Sequence, residues 1–381
     1  MARARRHRFD TPDPESSRLI DDLLERAASI DGLDLEDPAA ESIREIIVTA
    51  LRLAAEQTPA GDLRMLNASL KELRHALRVF APHESRRKVA VFGSARTKPD
   101  ARAWKQAHAF SKRIVEEGWM VITGAGDGIM GAAQAGAGRE NSFGLNIRLP
   151  FEQQANSTIH GDEKLINFRY FFTRKVMFVK PSHAIALLPG GFGTHDEGFE
   201  TLTLIQTGKS EIVPLVCLDE PGGTYWQDWR DYLVEHVANR GLITEDDLSL
   251  FDVTDDVEEA VHTVINFYSN YHSSRFVRDR IMIRVWQPPD EAQLDELNDR
   301  FSDIVTEGHI EVQPPAAPER HEAPGLPRIS FCFDRRRVRR LRQLIDFANS
   351  WIPAVASPPE EACAHEIVPG EMPEDFDDVI W

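Results

Sequence analysis

The 381-residue chain carries a formal net charge of −18, from 44 Lys and Arg against 62 Asp and Glu, and is 42% hydrophobic and 28% charged. A field of that sign repels nucleic-acid backbones but leaves room for a small phosphorylated ligand held by local donors, and no apolar run approaches the ~18 residues that span a bilayer. The three cysteines, Cys217, Cys332 and Cys363, lack metal-ligand spacing and read as reduced thiols of a cytoplasmic protein.

In chain order, Met1-Ala2-Arg3-Ala4-Arg5-Arg6-His7 is basic but has no apolar stretch behind it, unlike a secretory signal. Residues 1–85 form an N-terminal helical segment, with helices expected over Arg18–Ala28, Pro38–Glu56 and Leu63–Val79. Leu63, Leu66, Leu70, Leu73 and Leu77 make one stripe, expected to pack on the core or on another subunit. Residues 86–272 alternate short apolar runs with helices. Strands are expected at Val89–Phe92, Trp119–Thr123, Ser142–Ile147, His183–Leu188 and Ile212–Leu218, with helices over Ala101–Glu117, Ile129–Gly138, Arg174–Val179, Glu197–Thr207, Tyr225–Val237 and Val257–Tyr268. That alternation predicts an α/β, Rossmann-like, doubly wound parallel sheet, with ligands at the carboxyl ends of its strands. Residues 273–353 predict a small α+β appendage: strands Arg280–Trp286, His309–Val312 and Arg328–Phe333, helices Asp290–Val305 and Arg335–Trp351. Residues 354–381 form an acidic, proline-containing tail, expected to be flexible.

Three glycine clusters follow strands. Phe92-Gly93-Ser94-Ala95-Arg96 offers Gly93 and Ser94 to a ligand. Gly126-Asp127-Gly128-Ile129-Met130-Gly131 fits G-x-G-x-x-G, but the next strand ends in Asn146-Ile147-Arg148 without the acid that holds a ribose in dinucleotide enzymes. Gly126 and Gly128 therefore suit a phosphate or ribose near the backbone better than a dinucleotide. The most informative stretch is Leu188-Pro189-Gly190-Gly191-Phe192-Gly193-Thr194-His195-Asp196-Glu197. Its glycines let bare backbone approach a ligand, and the helix that follows offers unpaired N–H groups to an anion. Glu197 is expected in the first turn of that helix. Upstream, Arg174 and Lys175 follow an aromatic run, Phe168 to Phe172, one placed to reach a ligand and the other a carboxylate.

The order FGSAR, TGAGDGIMGAA, TRK and PGGFGTHDE resembles the LONELY GUY family, also labelled possible lysine decarboxylases, whose signature is PGGxGTxxE after an arginine–lysine pair. Pro189, Gly190, Gly191, Gly193, Thr194 and Glu197 fill every fixed position of it. The resemblance spans about residues 88–270 and implies hydrolysis of the N-glycosidic bond of nucleoside 5′-monophosphates, of AMP or cytokinin riboside type. It implies Arg174 and Glu197 as the catalytic pair and at least a homodimer. The length, and TGAGDG in place of GGG, match the longer bacterial branch.

On the chemistry of the residues, Gly190, Gly191, Gly193 and Thr194 would hold the 5′-phosphate, with Gly93, Ser94, Gly126, Gly128, Lys175 and Asp196 completing the binding site. No metal or cofactor is expected, and partners are limited to the nucleotide and further copies of the chain, with no nucleic acid or membrane. His195, at an unspecified position of the signature, ranks below Glu197 as a proton-transfer group. The rival reading is a nucleotide-binding regulatory protein without catalysis. A decarboxylase would need a Schiff-base lysine, for which only Lys175 and Lys180 lie near.

Overall fold

The computed structural model describes residues 14–31, 38–148, 154–315 and 323–352. The acidic tail, Cys363 and much of the Pro314–Pro327 loop lie outside them. The chain divides into two compact units between Lys71 and Glu72.

The first unit holds α1 (Pro14–Asp31), α2 (Pro38–Ala55) and the start of α3 (Ala60–Phe80). Ile20, Leu24 and Val48 form its buried cluster, with Ile47 packed on it. Of the leucine stripe on α3, Leu63, Leu66, Leu70 and Leu77 are exposed. Leu73, in the second unit, packs against that unit's core beside Ala76 and Phe80.

In the second unit, seven strands make one parallel sheet: β1 (Lys88–Phe92), β2 (Met120–Thr123), β3 (Ser142–Ile147), β4 (Leu165–Phe168), β5 (Ala184–Leu187), β6 (Leu215–Leu218) and β7 (Asp252–Thr254). Their order is β4-β3-β2-β1-β5-β6-β7. The helices are α4 (Arg102–Glu116), α5 (Ile129–Ala137), α6 (Phe171–Val179), α7 (Phe192–Gln206), α8 (Tyr225–Tyr232) and α9 (Val257–Asn266). Every residue of β1 is buried. Val89 and Val91 enter one core cluster and Ala90 and Phe92 the other, as a strand covered on both faces requires. β1 pairs with both β2 and β5, so the chain winds out to β4 and returns on the other side of β1. That reversal opens a crevice at the carboxyl ends of β1 and β5, which is where open α/β sheets hold ligands. Among the described residues no helix is long and apolar enough to cross a membrane.

Beyond the sheet lie β8 (Tyr271–Val277), β9 (Arg280–Val285), α10 (Glu291–Phe301), β10 (Val305–Gln313), β11 (Arg328–Phe333) and α11 (Val338–Asn349). The strands form an antiparallel sheet in the order β10-β11-β9-β8. β8 is absent from the sequence expectation. Its polar run Tyr-His-Ser-Ser-Arg hides the alternation, a register irregularity falls between Tyr271 and Ser273, and its turn carries Arg278 at φ 58 where a glycine would have signalled a hairpin. The edge strands β4, whose apolar run Asn167 interrupts, and β7, of three residues, are also absent from the sequence expectation.

Gly136 fixes the contact between α4 and α5. A Cβ there would lie 2.1 Å from the carbonyl oxygen of His108, and backbone yields little. Gly136→Ala is expected to cost about 1–3 kcal/mol by overpacking. Gly61→Ala, where a Cβ meets nothing within 4 Å, should be neutral or stabilising. Urea denaturation of both variants checks the contrast.

Candidate active site

The three glycine turns meet at Ser94. Its N–H donates to the Pro189 carbonyl at 3.1 Å, and its carbonyl accepts the Ile129 N–H at 3.0 Å. Gly128, at φ 66, has space only for hydrogen, since a Cβ would lie 2.3 Å from the Ser94 carbonyl. A Cβ on Gly190 would lie 2.1 Å from the Thr194 Oγ1 and 3.0 Å from the Ser94 nitrogen, and one on Gly93 would strike Ile129 at 2.5 Å. These glycines are therefore demanded by packing between turns. Gly191 and Gly193 differ: a Cβ on either meets nothing within 4 Å, so internal packing does not explain them. The G-x-G-x-x-G turn thus lies against the same Ser94 backbone as the PGG turn.

α7 starts at Phe192, not at Glu197 as the sequence suggested, because the glycine run forms its first turn instead of a loop. Glu197 accordingly sits in the second turn. Gly191 caps the helix without a side chain, and its carbonyl accepts the Thr194 N–H at 3.0 Å and the His195 N–H at 3.3 Å. Thr194 therefore spends its backbone donor internally. The N–H groups of Gly190, Gly191, Phe192 and Gly193 have no acceptor among the described residues. An open helix start with free N–H groups carries a partial positive charge and suits an anion.

Glu197 is 5% exposed. Burial pushes its carboxyl up to about 7, while Lys175 and Arg174 pull it down. Among the described residues its carboxylate makes no hydrogen bond and no ion pair; its backbone carbonyl accepts the Thr201 hydroxyl at 2.9 Å. Arg174 is half-buried. Burial lowers its pKa, opposed by Glu197, and its Nε is enclosed without a hydrogen-bond partner. Its guanidinium lies 5.1 Å from the centroid of the Phe178 ring. One guanidinium nitrogen comes within 3.5 Å of where a Cβ on Gly124 would sit, so α6 reaches the second glycine turn. Arg174 and Glu197 interact through space without direct pairing. Lys175 and Asp196 do pair: the Lys175 ammonium donates to Asp196 at 2.9 Å and to Glu200 at 2.7 Å. Burial would lower that lysine, but its hydrogen bonds to Glu200 and Asp196 outweigh it and hold it above its usual value. Among the described residues no group of three or more His, Cys, Asp or Glu is placed to hold a metal ion.

A cavity of about 860 Å³ opens beside the second turn, lined in part by Ala95, Asp127, Arg139, Gln154, Asn156 and His160. Asn156 carries no sequence signal, yet its side chain donates to the carbonyls of Ala125 at 3.1 Å and Gly126 at 2.9 Å and to Gln134 at 2.6 Å. Gln134, fully buried, passes the chain on to the Phe143 carbonyl of β3. This clamp holds Ala125 at φ 63, a conformation that costs a non-glycine residue about 1 kcal/mol or more. Tyr225 was likewise unforeseen, and its hydroxyl donates to the Gly190 carbonyl at 2.6 Å.

A family model described as possible lysine decarboxylase matches residues 130–264. Over 146 residues the chain is 30% identical to a cytokinin riboside 5′-monophosphate phosphoribohydrolase of Rhodococcoides fascians, covering 38% of this chain and 72% of that relative. The chain belongs to the LONELY GUY family. Solved structures similar to it include a molybdenum cofactor binding protein of Rippkaea orientalis, at 19% identity and TM-score 0.32, covering 46% of this chain and 93% of that one. The molybdenum cofactor carrier protein of Chlamydomonas reinhardtii is similar at 19% identity and TM-score 0.31, covering 47% and 96%. Likenesses of that size carry no argument about ligands. In this LONELY GUY chain the matched region holds Arg174, Lys175 and the PGG turn, while Gly93, Ser94, Gly126 and Gly128 lie upstream of it.

A carboxyl raised from 4.5 to about 7 makes folding less favourable as pH climbs from 4.5 to 7, because the folded state then keeps a proton that the unfolded chain releases. Glu197→Gln mimics the protonated form. It should fold and gain up to about 3 kcal/mol over the parent at pH 8, with no gain below pH ~4.5. Thermal denaturation across pH reads this directly.

Proposed function

We propose that the protein hydrolyses nucleoside 5′-monophosphates to free base and ribose 5-phosphate. The observation that carries this reading is an open helix start with unpaired N–H groups beside a buried carboxyl poised near neutrality. The named activity of the Rhodococcoides fascians relative supports it.

In this reading Gly191, Phe192 and Gly193 bind the 5′-phosphate, which stops the ribose from sliding. Glu197 in its ionised form balances the charge that builds on the ribose and takes a proton from water as it attacks C1′. The N-glycosidic bond breaks with its electron pair going to the base nitrogen, and the proton held by Glu197 ends on the departing base. Arg174, which faces Glu197 without pairing to it, donates to the substrate through its terminal guanidinium nitrogens. Lys175 and Asp196, bound to each other, hold α6 against α7 and so set the distance between Arg174 and Glu197. The cavity lined by Asp127, Arg139 and His160 receives the base. The decarboxylase description gains nothing from Lys175, because two carboxylates keep its amine charged and a Schiff base needs it neutral.

We also propose a homo-oligomer of at least two copies. Phe171, Phe172 and Val176 on α6 and Phe192 and Phe199 on α7 are exposed, Phe192 at 96%. Such a group of apolar side chains beside a site is an expected subunit contact. Light scattering that finds a monomer would remove this part.

Incubation with AMP, GMP, CMP and UMP, followed by chromatography of base and ribose 5-phosphate, tests the activity. Glu197→Gln and Arg174→Ala should each lower kcat by about 10²-fold or more while remaining folded. Since the ionised carboxylate is the working form, kcat should rise with pH to a plateau, with its midpoint near the Glu197 value of about 7. Arg139→Ala should change the ranking of bases more than the rate on the best one. Tight nucleotide binding with no base release would favour a regulatory, non-catalytic protein.

A further inference from the structure

We propose that Tyr225 and His195 lock the Gly190–Gly191 peptide in the orientation that presents the Gly191 N–H to a phosphate, so that His195 is a positioning residue and not a proton-transfer group. This rests on the reading of the PGG turn as a phosphate cradle.

A peptide unit is planar and trans, so its C=O and the following N–H point in opposite directions. Where the Gly190 carbonyl is held, the Gly191 N–H must face the other way. Without side chains, two successive glycines would otherwise let that plane turn over at little cost. The Tyr225 hydroxyl holds the carbonyl at 2.6 Å, and the Gly191 N–H has no acceptor among the described residues.

The hydroxyl has one proton, and a carbonyl can only accept, so that proton lies toward Gly190. His195 Nε2, 2.7 Å from the same hydroxyl oxygen, must therefore be the donor. This fixes the ring as the Nε2–H form when neutral. Protonation adds a hydrogen at Nδ1 and leaves the Nε2–H in place, so the lock survives in both states. The ring stands among Phe199, Tyr225, Trp226 and Trp229, with centroids 5.8–6.3 Å away. Burial lowers the His195 pKa, with no charged group contributing, and burial first among other causes raises that of Tyr225. Neither proton is lost or gained through the working range in a way that opens the lock.

Tyr225 is itself aimed from below. Asp219, just past β6, accepts the Trp226 N–H at 3.1 Å and the Glu220 N–H at 2.8 Å, which sets the start of α8. Gly223 is required there, since a Cβ would lie 2.4 Å from the Asp219 carboxylate. The PGGxGTxxE pattern leaves position 195 unspecified and does not reach Tyr225, so neither residue is named by the signature.

Calorimetric titration of the full chain with ribose 5-phosphate, together with kcat, KM and pH–rate profiles, tests the proposal. Tyr225→Phe should weaken ribose 5-phosphate binding and raise KM by about 10-fold, with kcat falling less, and with the same thermal midpoint and pH profile. His195→Ala should weaken binding in the same direction. His195→Gln, whose amide nitrogen can donate from the Nε2 position, should restore it. Unchanged binding in Tyr225→Phe overturns the lock, and loss of one limb of the pH profile in His195→Gln would show that the imidazole moves a proton. Parent protein that fails to bind ribose 5-phosphate would sink the cradle reading and the lock together, whereas parent binding with an indifferent Tyr225→Phe sinks the lock alone.

Discussion

The site depends on one close backbone approach. Ser94 lies between the turns after β2 and β5, bonded to Ile129 on one side and Pro189 on the other. Side chains on Gly93, Gly128 or Gly190 would force the turns apart. The approach is possible because β1 is central and pairs with β2 and β5 at once. Parallel topology, the reversal of winding and glycine content are thus one constraint expressed at three levels.

The charged groups follow from that frame. α6 and α7 flank the crevice, and the Lys175 pairs with Asp196 and Glu200 tie them together. With that cation committed, Glu197 keeps only through-space help from Lys175 and Arg174, too little to offset its burial. A carboxyl held in this state opposes folding at neutral pH, and a buried guanidinium nitrogen without a partner does the same. Both are tolerable because the surrounding sheet buries a large apolar core, and both are expected where chemistry takes place.

Much of this was legible in the sequence, for specific reasons. The parallel strands at Val89 and Ala184 are continuous apolar runs, and the fixed positions of PGGxGTxxE mark the open helix start and Glu197 near it. The helix start at Phe192 was hidden because glycines read as loop, although an N-terminal turn tolerates them. β8 was hidden by its polar run and by an arginine in its tight turn. Asn156 and Tyr225 act through single side-chain bonds to carbonyls remote in sequence, and no periodicity or spacing records such a contact. Of the adjacent cations, one was expected to reach a carboxylate, and it is Lys175 that does so, pairing with Asp196 and Glu200 on the facing helix.

The antiparallel sheet shares its apolar core with the parallel one. Ile283, Phe331 and Leu344 belong to the same buried cluster as Val89, Phe110 and Val216. A chain cut before β8 would therefore not be a smaller version of the same fold. It would leave a raw apolar face on the parallel layer, so the two sheets are expected to melt together.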